Sequence, residues 1–342
     1  MAGPSERRLP TGKLPAAHLK AILRSLPRRD PRVVVGPKFG EDAAVLDIGG
    51  RYLVAAADPV TFASERIGWY AVHINANDVA VLGGVPRWFF AVVLLPERAT
   101  SELAATIMTD IAETCDALEV TVCGGHTEVT GGLERPIVIG QMLGEVAGPD
   151  LVRKKNLEVG DQVILTHGAA IEGTALLARE RRADLAGRLP DDLVARAEAL
   201  LDSPGLSVVP AVRAATHAGT VHAMHDPTEG GIQTALVELA EAAGLGLEVF
   251  ADRIPVLEET RAICERLQLE PLKLIASGAL LLATPPDSTE AVTAALNSSG
   301  IPAGVVAEAR PSSFGVMWRD GGKLRPLLPA DRDEVARASD SP

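Results

Sequence analysis

Acidic residues stand where predicted strands and helices end in the first quarter of the chain. Asp42 lies in the segment GEDAAV, Asp58 in AAADPV and Asp78 in NANDVAVLGG. Carboxylates that lie close together repel one another and lose solvation on burial, so such a group is stable chiefly when a divalent cation binds among them. Together, Asp42, Asp58 and Asp78 predict a Mg²⁺ site that could hold the phosphates of a nucleotide. Taken singly, Asp42 and Asp58 are also typical turn residues, and Asp78 could be a solvated helix position.

The surroundings of Asp78 favour the functional interpretation. It stands in an otherwise apolar helical segment, with Ala71, Val72 and Ile74 before it and residues 79–82 after it. An unpaired charge in such a segment costs several kcal/mol. We therefore expect Asp78 to take part in metal binding or catalysis.

Two glycine-containing segments could bind an anion. In VCGGHTEV, Gly124 and Gly125 follow a predicted strand, where the backbone can present N–H groups to a ligand, although a tight turn is the alternative. In HDPTEGG, residues 225–231 lead from a strand into a helix whose N-terminus could meet a phosphate; the alternative is Thr228 as a helix cap. Lys38 could neutralise a phosphate or be a solvated lysine.

Other side chains that could ligate metal show weaker patterns. His217, His222 and His225 lie close in sequence, but on a strand at 221–224 the last two would face opposite sides, which disfavours a three-histidine site. Cys115, Cys123 and Cys264 form no CxxC pair, so a disulfide scaffold or structural zinc is disfavoured. The chain contains no GxxxxGK[ST], GxGxxG, HExxH or GxSxG motif.

Apolar periodicity places these residues on alternating helices and strands. In the first half it predicts helices at 14–26, 66–82 and 101–118, and strands at 43–48, 52–57, 87–95, 120–123 and 137–146. In the second half it predicts strands at 162–166, 221–224, 247–250, 279–283 and 304–309, and helices at 173–182, 191–201, 208–217, 256–267 and 289–297, with one more from residue 230. This mixture predicts an α+β fold.

The 342 residues, 47% of them hydrophobic, suffice for two cores. The turn GPD at 148–150 and the basic run RKKN at 153–156 mark a boundary. We expect an N-terminal extension and helix at 1–30, domains at 31–149 and 150–330, and a poorly ordered charged tail at 331–342.

The charge of the chain excludes several classes of partner. Lys+Arg 33 against Asp+Glu 45 gives a net charge of -12, which disfavours general nucleic-acid and anionic-membrane binding. No stretch has the length of a membrane helix, and the N-terminus lacks the apolar region of a signal peptide. We expect a cytoplasmic protein.

Taken together and in order, these motifs, with the segment ELAEAAGLGLEVFADRIPV, resemble the aminoimidazole-ribonucleotide synthase (PurM-like) superfamily, most closely its hydrogenase-maturation (HypE) branch. The resemblance runs from about residue 38 to residue 309. It implies a two-domain fold in which the N-terminal strands of two subunits form a barrel in a homodimer, with a C-terminal α/β domain. It also implies binding of ATP and Mg²⁺ between the domains.

The resemblance assigns roles to individual residues. Asp42, Asp58 and Asp78 would bind metal or phosphate, and Asp78 and His126 would be catalytic. The residues it assigns to the nucleotide are Lys38, Asp42, Asn75, Asn77, Gly124, Gly125 and Thr127.

Two departures from the family pattern stand out. His126 occupies a position where relatives usually have Asp, which exchanges an oxygen ligand for an imidazole that Mg²⁺ binds less readily. HypE proteins dehydrate a thiocarbamoyl group on their own C-terminal cysteine, whereas this sequence ends in residues 338–342 without one and its last cysteine is Cys264. We therefore expect no self-dehydration by that route.

The sequence thus predicts an enzyme that uses ATP and Mg²⁺ to phosphorylate or activate an oxygen of a small separate molecule. A phosphotransferase similar to thiamine-monophosphate kinase is one alternative. A non-catalytic ATP-binding maturation factor with a protein partner is another.

Overall fold

The computed structural model describes residues 14, 16–27, 29–61 and 65–339. Within these ranges, no helix combines the length and the apolar character needed to cross a membrane. Residues 1–13, 15 and 28 of the predicted N-terminal extension and helix lie outside the described residues.

The first half of the chain forms a six-stranded sheet covered by helices. Its strands are β1 (Val33–Val35), β2 (Ala44–Asp47), β3 (Arg51–Val60), β4 (Val85–Leu95), β5 (Thr121–Val129) and β6 (Ile137–Ala147), in the order β1-β2-β3-β6-β4-β5. Its helices are α1 (Ala16–Arg24), α2 (Ile67–Ala80) and α3 (Ser101–Ala117). β5 is an edge strand that pairs in parallel with β4.

Glycines determine how closely α2 packs on this sheet. A Cβ on Gly140 would lie 2.3 Å from Nδ2 of Asn75, and a Cβ on Gly144 would lie 2.4 Å from a methyl of Val79. Because both glycines are on β6, α2 lies almost against the strand backbone. This proximity buries Asp78 and the asparagines around it.

The predicted end of β5 is wrong. The sequence predicts a strand at 120–123 and then a glycine loop, but β5 continues through Gly124, Gly125, His126 and Thr127 to Val129. The pairing of β5 with β4 shifts at Cys123, so the strand passes through a bulge and does not stop. A Cβ on Gly125 would lie 1.8 Å from the carbonyl oxygen of Ala91, so this glycine is a site of close strand contact.

The second half forms a seven-stranded sheet with helices around it. The strands are β7 (Gln162–Thr166), β8 (Ala223–His225), β9 (Gly246–Phe250), β10 (Leu281–Thr284), β11 (Ala303–Arg310), β12 (Val316–Asp320) and β13 (Lys323–Pro326), in the order β13-β12-β9-β11-β7-β10-β8. The helices are α4 (Ile171–Glu180), α5 (Arg182–Leu185), α6 (Asp191–Ala199), α7 (Val209–Ala218), α8 (Gly231–Ala243), α9 (Glu258–Leu267), α10 (Pro286–Ser298) and α11 (Glu334–Ser339). The predicted two-part mixture of helices and sheets is confirmed.

The two halves share apolar packing. Ile171 and Ala175 of α4 belong to the same buried cluster as Ile67 and Tyr70 of α2. The strands of the first sheet end at Ala147 and those of the second begin at Gln162, on either side of the predicted boundary.

The predicted disorder of the tail is wrong for residues 331–339. Glu334–Ser339 form α11, and Val335 and Ala338 are buried in the core of the second half. Asp333 accepts a hydrogen bond from the backbone N–H of Val335 (2.8 Å), which satisfies a donor in the first turn of the helix. The small apolar residues are therefore part of the core. Residues 340–342 of the predicted tail lie outside the described residues.

Candidate functional site

Three ionisable side chains converge between the two halves of the chain. Ligand atoms of Asp42, His225 and Asp226 all lie within 4.8 Å of one another, the one such group of three or more among the described residues. Asp42 lies two residues before β2, His225 ends β8, and Asp226 begins the loop that leads into α8. The site therefore exists only when both halves are folded together.

A buried lysine completes the group. Lys154 is 2% exposed, and its Nζ donates hydrogen bonds to the Asp42 carboxylate (2.7 Å) and to the carbonyl oxygen of Gly40 (2.7 Å). It belongs to the basic run predicted as a domain boundary. A buried ammonium needs such compensation, because an unpaired one would be strongly destabilising.

Of the two ring nitrogens of His225, one has a hydrogen-bond partner and the other has none. Its Nε2 lies 3.0 Å from a carboxylate oxygen of Glu238 on α8. Its Nδ1 lies 3.6 Å from Asp42 Oδ1 and makes no hydrogen bond. A carboxylate on one ring nitrogen commonly orients the other towards a metal.

Burial and charge act in opposite directions on this group. Burial would raise the pKa of Asp42, but the charges of Lys154 and His225 hold it well below its usual range. Burial and the charge of Asp42 raise the pKa of Asp226. For His225, burial and Lys154 lower the pKa, whereas Asp42 and Glu238 raise it, and the net effect is upward.

The donor set of this group fits a divalent cation. Two carboxylates, of which that of Asp226 is buried, converge with a buried imidazole nitrogen that has no hydrogen bond. Carboxylate oxygens suit Mg²⁺ and Mn²⁺, whereas an imidazole ligand is better accepted by Mn²⁺ and later transition metals than by Mg²⁺. The residues that would hold the metal are Asp42, His225 and Asp226.

The predicted trio of Asp42, Asp58 and Asp78 does not form such a group among the described residues. Asp42 instead contacts Lys154 from the second half of the chain. Asp78 is 5% exposed on α2, and Asp58 is held by its backbone on β3. Metal binding by Asp58 and Asp78 stays a prediction.

Asn75 and Asn77 were predicted to contact the nucleotide, and that contact stays a prediction; in the structure their amides bond to backbone groups. The Asn75 amide exchanges two hydrogen bonds with the backbone of Asp58 (2.9 and 3.2 Å) and donates a further one to Ala71 (2.9 Å). Asn77 donates to the carbonyl oxygen of Leu206 (2.8 Å) and accepts from the N–H of Val208 (2.9 Å). Both side chains are buried, so their polar atoms serve the fold.

The remaining predicted residues lie on exposed surface. Gly124, Gly125, His126 and Thr127 are on the exposed β5, where His126 Nε2 lies 3.0 Å from Glu128. Lys38 is also exposed. Their contact with a nucleotide stays a prediction.

The predicted anion position at the start of α8 holds an acidic side chain of the chain itself. The N-cap of α8 is Gly230, not Thr228, and the Gly230 N–H donates to Asp333 Oδ2 (2.7 Å). This helix end thus binds a carboxylate of the chain itself, in the place where the sequence predicted a phosphate. The local sequence does not show that residue 333 supplies that carboxylate.

Lys154 and Glu238 were not predicted as site residues, and His225 and Asp226 were predicted only as part of a phosphate-binding segment. The signal available was His225-Asp226, two ionisable residues directly after an apolar strand. Nothing local connects this pair with Asp42, and a lysine within a basic run is usually solvated.

Comparison with known proteins assigns the family. Models of AIR synthase related protein match residues 40–146 (N-terminal domain) and 158–319 (C-terminal domain). A hydrogenase expression/formation protein of Methanocaldococcus jannaschii is 29% identical over 274 residues, covering 79% of this chain and 78% of that protein. Carbamoyl dehydratase HypE of Escherichia coli is 29% identical over 246 residues, covering 70% of this chain and 69% of the enzyme.

Solved structures share the fold. A chain of a HypE–HypF complex aligns with a TM-score of 0.76 at 20% identity, covering 92% of this chain and 100% of that one. HypE in complex with ATP aligns with a TM-score of 0.71 at 21% identity, covering 93% of this chain and 91% of that one. Thiamine monophosphate kinase of Aquifex aeolicus with AMPPCP and TMP aligns with a TM-score of 0.69 at 18% identity, covering 90% of this chain and 92% of that one. The predicted resemblance is confirmed: this chain belongs to the AIR synthase related, PurM-like family and is similar to proteins of that family named HypE.

Proposed function

We propose that this protein is an ATP-dependent enzyme that activates or phosphorylates an oxygen of a small substrate, with a divalent cation held by Asp42, His225 and Asp226. The observation that carries the proposal is the convergence of these three side chains between the two halves, with His225 and Asp226 buried and Asp42 half-buried. The similarity to carbamoyl dehydratase HypE and to a HypE structure that contains ATP supports the choice of nucleotide and reaction.

The arrangement of the side chains suits this chemistry. A bound divalent cation would neutralise phosphate charge, which supplies much of the catalysis in phosphoryl transfer. Asp42 and Asp226 offer oxygen ligands, and Glu238 holds Nε2 of His225 so that Nδ1 stays directed at Asp42. Because His225 and Asp226 are almost fully buried, water is largely excluded from these ligands.

We further propose that the predicted nucleotide residues complete the site. Asp58 and Asp78 would contribute to metal or phosphate binding, and Lys38, Gly124, Gly125, His126 and Thr127 would contact ATP. Asp78 supports this role because it is a buried carboxylate on a largely apolar helix. Asn75 and Asn77, the other two residues predicted to contact ATP, bond to backbone groups through their amides.

We propose that a homodimer forms through β5. Every residue of this edge strand is exposed, including the apolar Val122 and Val129. An open strand of nine residues with exposed apolar side chains is a ready template for pairing with another strand. The solved HypE–HypF complex supports a maturation partner protein as well.

Two other functions have specific support. The fold of thiamine monophosphate kinase favours a phosphotransferase. The exchange of Asp for His126, an exposed residue paired with Glu128, favours a non-catalytic ATP-binding maturation factor. Release of ADP on addition of a small carbamoyl compound favours the proposed enzyme, release with thiamine monophosphate favours the kinase, and ATP binding without turnover favours the factor.

The first test is a thermal-shift titration with ATP, with and without Mg²⁺ or Mn²⁺. A ligand at 100 times its Kd stabilises the folded state by about 2.7 kcal/mol, which raises Tm by a few degrees. We expect a metal-dependent shift in the wild type that Asp226→Asn loses and that Asp252→Asn, an exposed control, retains. The absence of any shift with nucleotide and metal in the wild type would refute the proposal.

A further inference from the structure

Lys154 places a positive charge on the carboxylate that would bind the metal. Its Nζ lies 2.7 Å from the Asp42 carboxylate and 2.7 Å from the carbonyl oxygen of Gly40. The side chain is 2% exposed, and that of Asp42 is 13% exposed. The ammonium is thus held between the Asp42 carboxylate and the backbone of Gly40.

A divalent cation and this ammonium are poorly compatible as simultaneous neighbours of Asp42. Both would lie within a few Å of the same oxygen atoms, and like charges repel strongly where water is largely excluded. Asp226 and His225 Nδ1 would attract the metal, and the charge of Asp226 would offset part of the repulsion, but Lys154 Nζ already lies 2.7 Å from both oxygens of Asp42. A metal that binds to Asp42 must therefore displace the lysine.

A displaced ammonium needs another anion. Lysine has a flexible four-carbon stem and binds phosphate well as a point charge. We infer that Lys154 competes with the divalent cation for Asp42, so that the metal binds tightly only together with a polyphosphate, which takes over the ammonium. This inference rests on the proposed function and specifies how the same site is regulated. The alternative is that Lys154 is a fixed ion pair that joins the two halves.

The experiment compares binding of Mn²⁺ alone to wild type, Lys154→Gln and Lys155→Gln by titration calorimetry. Lys155→Gln is the control: it removes one positive charge, as Lys154→Gln does, but from a neighbouring lysine that is exposed. We expect Lys154→Gln to bind Mn²⁺ about tenfold more tightly than the wild type, the lower end of what close charge pairs contribute. Lys155→Gln should match the wild type. An affinity of Lys154→Gln that is equal to or below that of the wild type overturns the inference.

The same titrations with a non-hydrolysable ATP analogue measure the coupling between metal and nucleotide. The analogue should strengthen Mn²⁺ binding to the wild type by a larger factor than Mn²⁺ binding to Lys154→Gln, because only the wild type must release its lysine. The double variant Asp42→Asn with Lys154→Gln should lose the gain in Mn²⁺ affinity. If it keeps the gain, the metal binds elsewhere and the inference is wrong.

A measurement on the wild type does not depend on how well the variants fold. Lys154 should resist acetylation without metal and become more reactive at saturating Mn²⁺, as read by mass spectrometry. Unchanged protection at saturating Mn²⁺ would overturn the inference. If the wild type binds both Mn²⁺ and the analogue, and Lys154→Gln has the same affinity for Mn²⁺ as the wild type, this inference alone is refuted. A wild type that binds neither refutes the proposed function with it.

Discussion

Glu172 gives the sharpest prediction about stability. It is 4% exposed on α4, and its Oε2 makes no hydrogen bond. Burial, together with the charges of Glu229 and Asp333, raises its pKa from 4.5 to about 7, against the opposing effect of Ser277. A carboxyl group whose pKa is higher in the folded than in the unfolded protein favours folding while it is protonated, and this advantage is lost as the pH rises through 7.

Replacing Glu172 with glutamine keeps the shape and removes the ionisation. Between pH 4.5 and about 7, the free energy of unfolding falls by about 1.4 kcal/mol for each pH unit. Above pH 7 the wild type has therefore lost about 3 kcal/mol of its free energy of unfolding. Glu172→Gln should be more stable than the wild type by about 3 kcal/mol at pH 8.5 and by about 1 kcal/mol at pH 5.

Urea unfolding followed by circular dichroism at both pH values measures this difference. Glu290→Gln is the matched control, because Glu290 is exposed on α10, and its stability should differ little from that of the wild type at either pH. If the difference between Glu172→Gln and the wild type were the same at pH 5 and pH 8.5, Glu172 would not titrate in the way described. Burial and the neighbouring charges would then not raise the pKa of Glu172 in the folded protein.

Two further variants test other features of the fold. Asn77→Ala removes both partners of the backbone at 206–208 and should lower the free energy of unfolding by about 1–3 kcal/mol, measured by urea titration; a loss below about 0.5 kcal/mol would contradict the assigned role. Gly125→Ala places a Cβ 1.8 Å from the oxygen of Ala91, so it should distort β5 and weaken dimerisation, which light scattering measures. The control Gly304→Ala on β11 adds a Cβ that meets no atom within 4 Å and should leave dimerisation unchanged. An unaltered dimer in Gly125→Ala would count against β5 as the interface.

Local patterns in the sequence predicted much of the fold. The β2–β3 hairpin was predictable because Asp47 accepts hydrogen bonds from the N–H groups of Gly49 and Gly50 (2.9 and 3.3 Å), all within one turn. Helix α2 was predictable from its apolar spacing. These features depend on neighbours in the chain, which a sequence displays directly.

The candidate site was only partly predictable because its contacts span the chain. Asp42 was identified, but its partner Lys154 lies 112 residues away, in a segment typical of a solvated linker. The continuation of β5 depends on pairing with β4 across a bulge, which a glycine pair resembling a turn conceals. The amide of Asn77 also bonds to a loop about 130 residues away, a contact that no local pattern in the sequence shows.

The apolar cluster that joins α2 to α4 has a consequence for cooperativity. Ile67 and Tyr70 lie in it with Ile171 and Ala175, so neither half can lose its structure without exposing apolar surface of the other. Melting should therefore follow a single transition. A chain divided after residue 149 would leave two fragments with complementary apolar faces, and we expect them to assemble again when mixed, restoring the group formed by Asp42, His225 and Asp226 from two separate polypeptides.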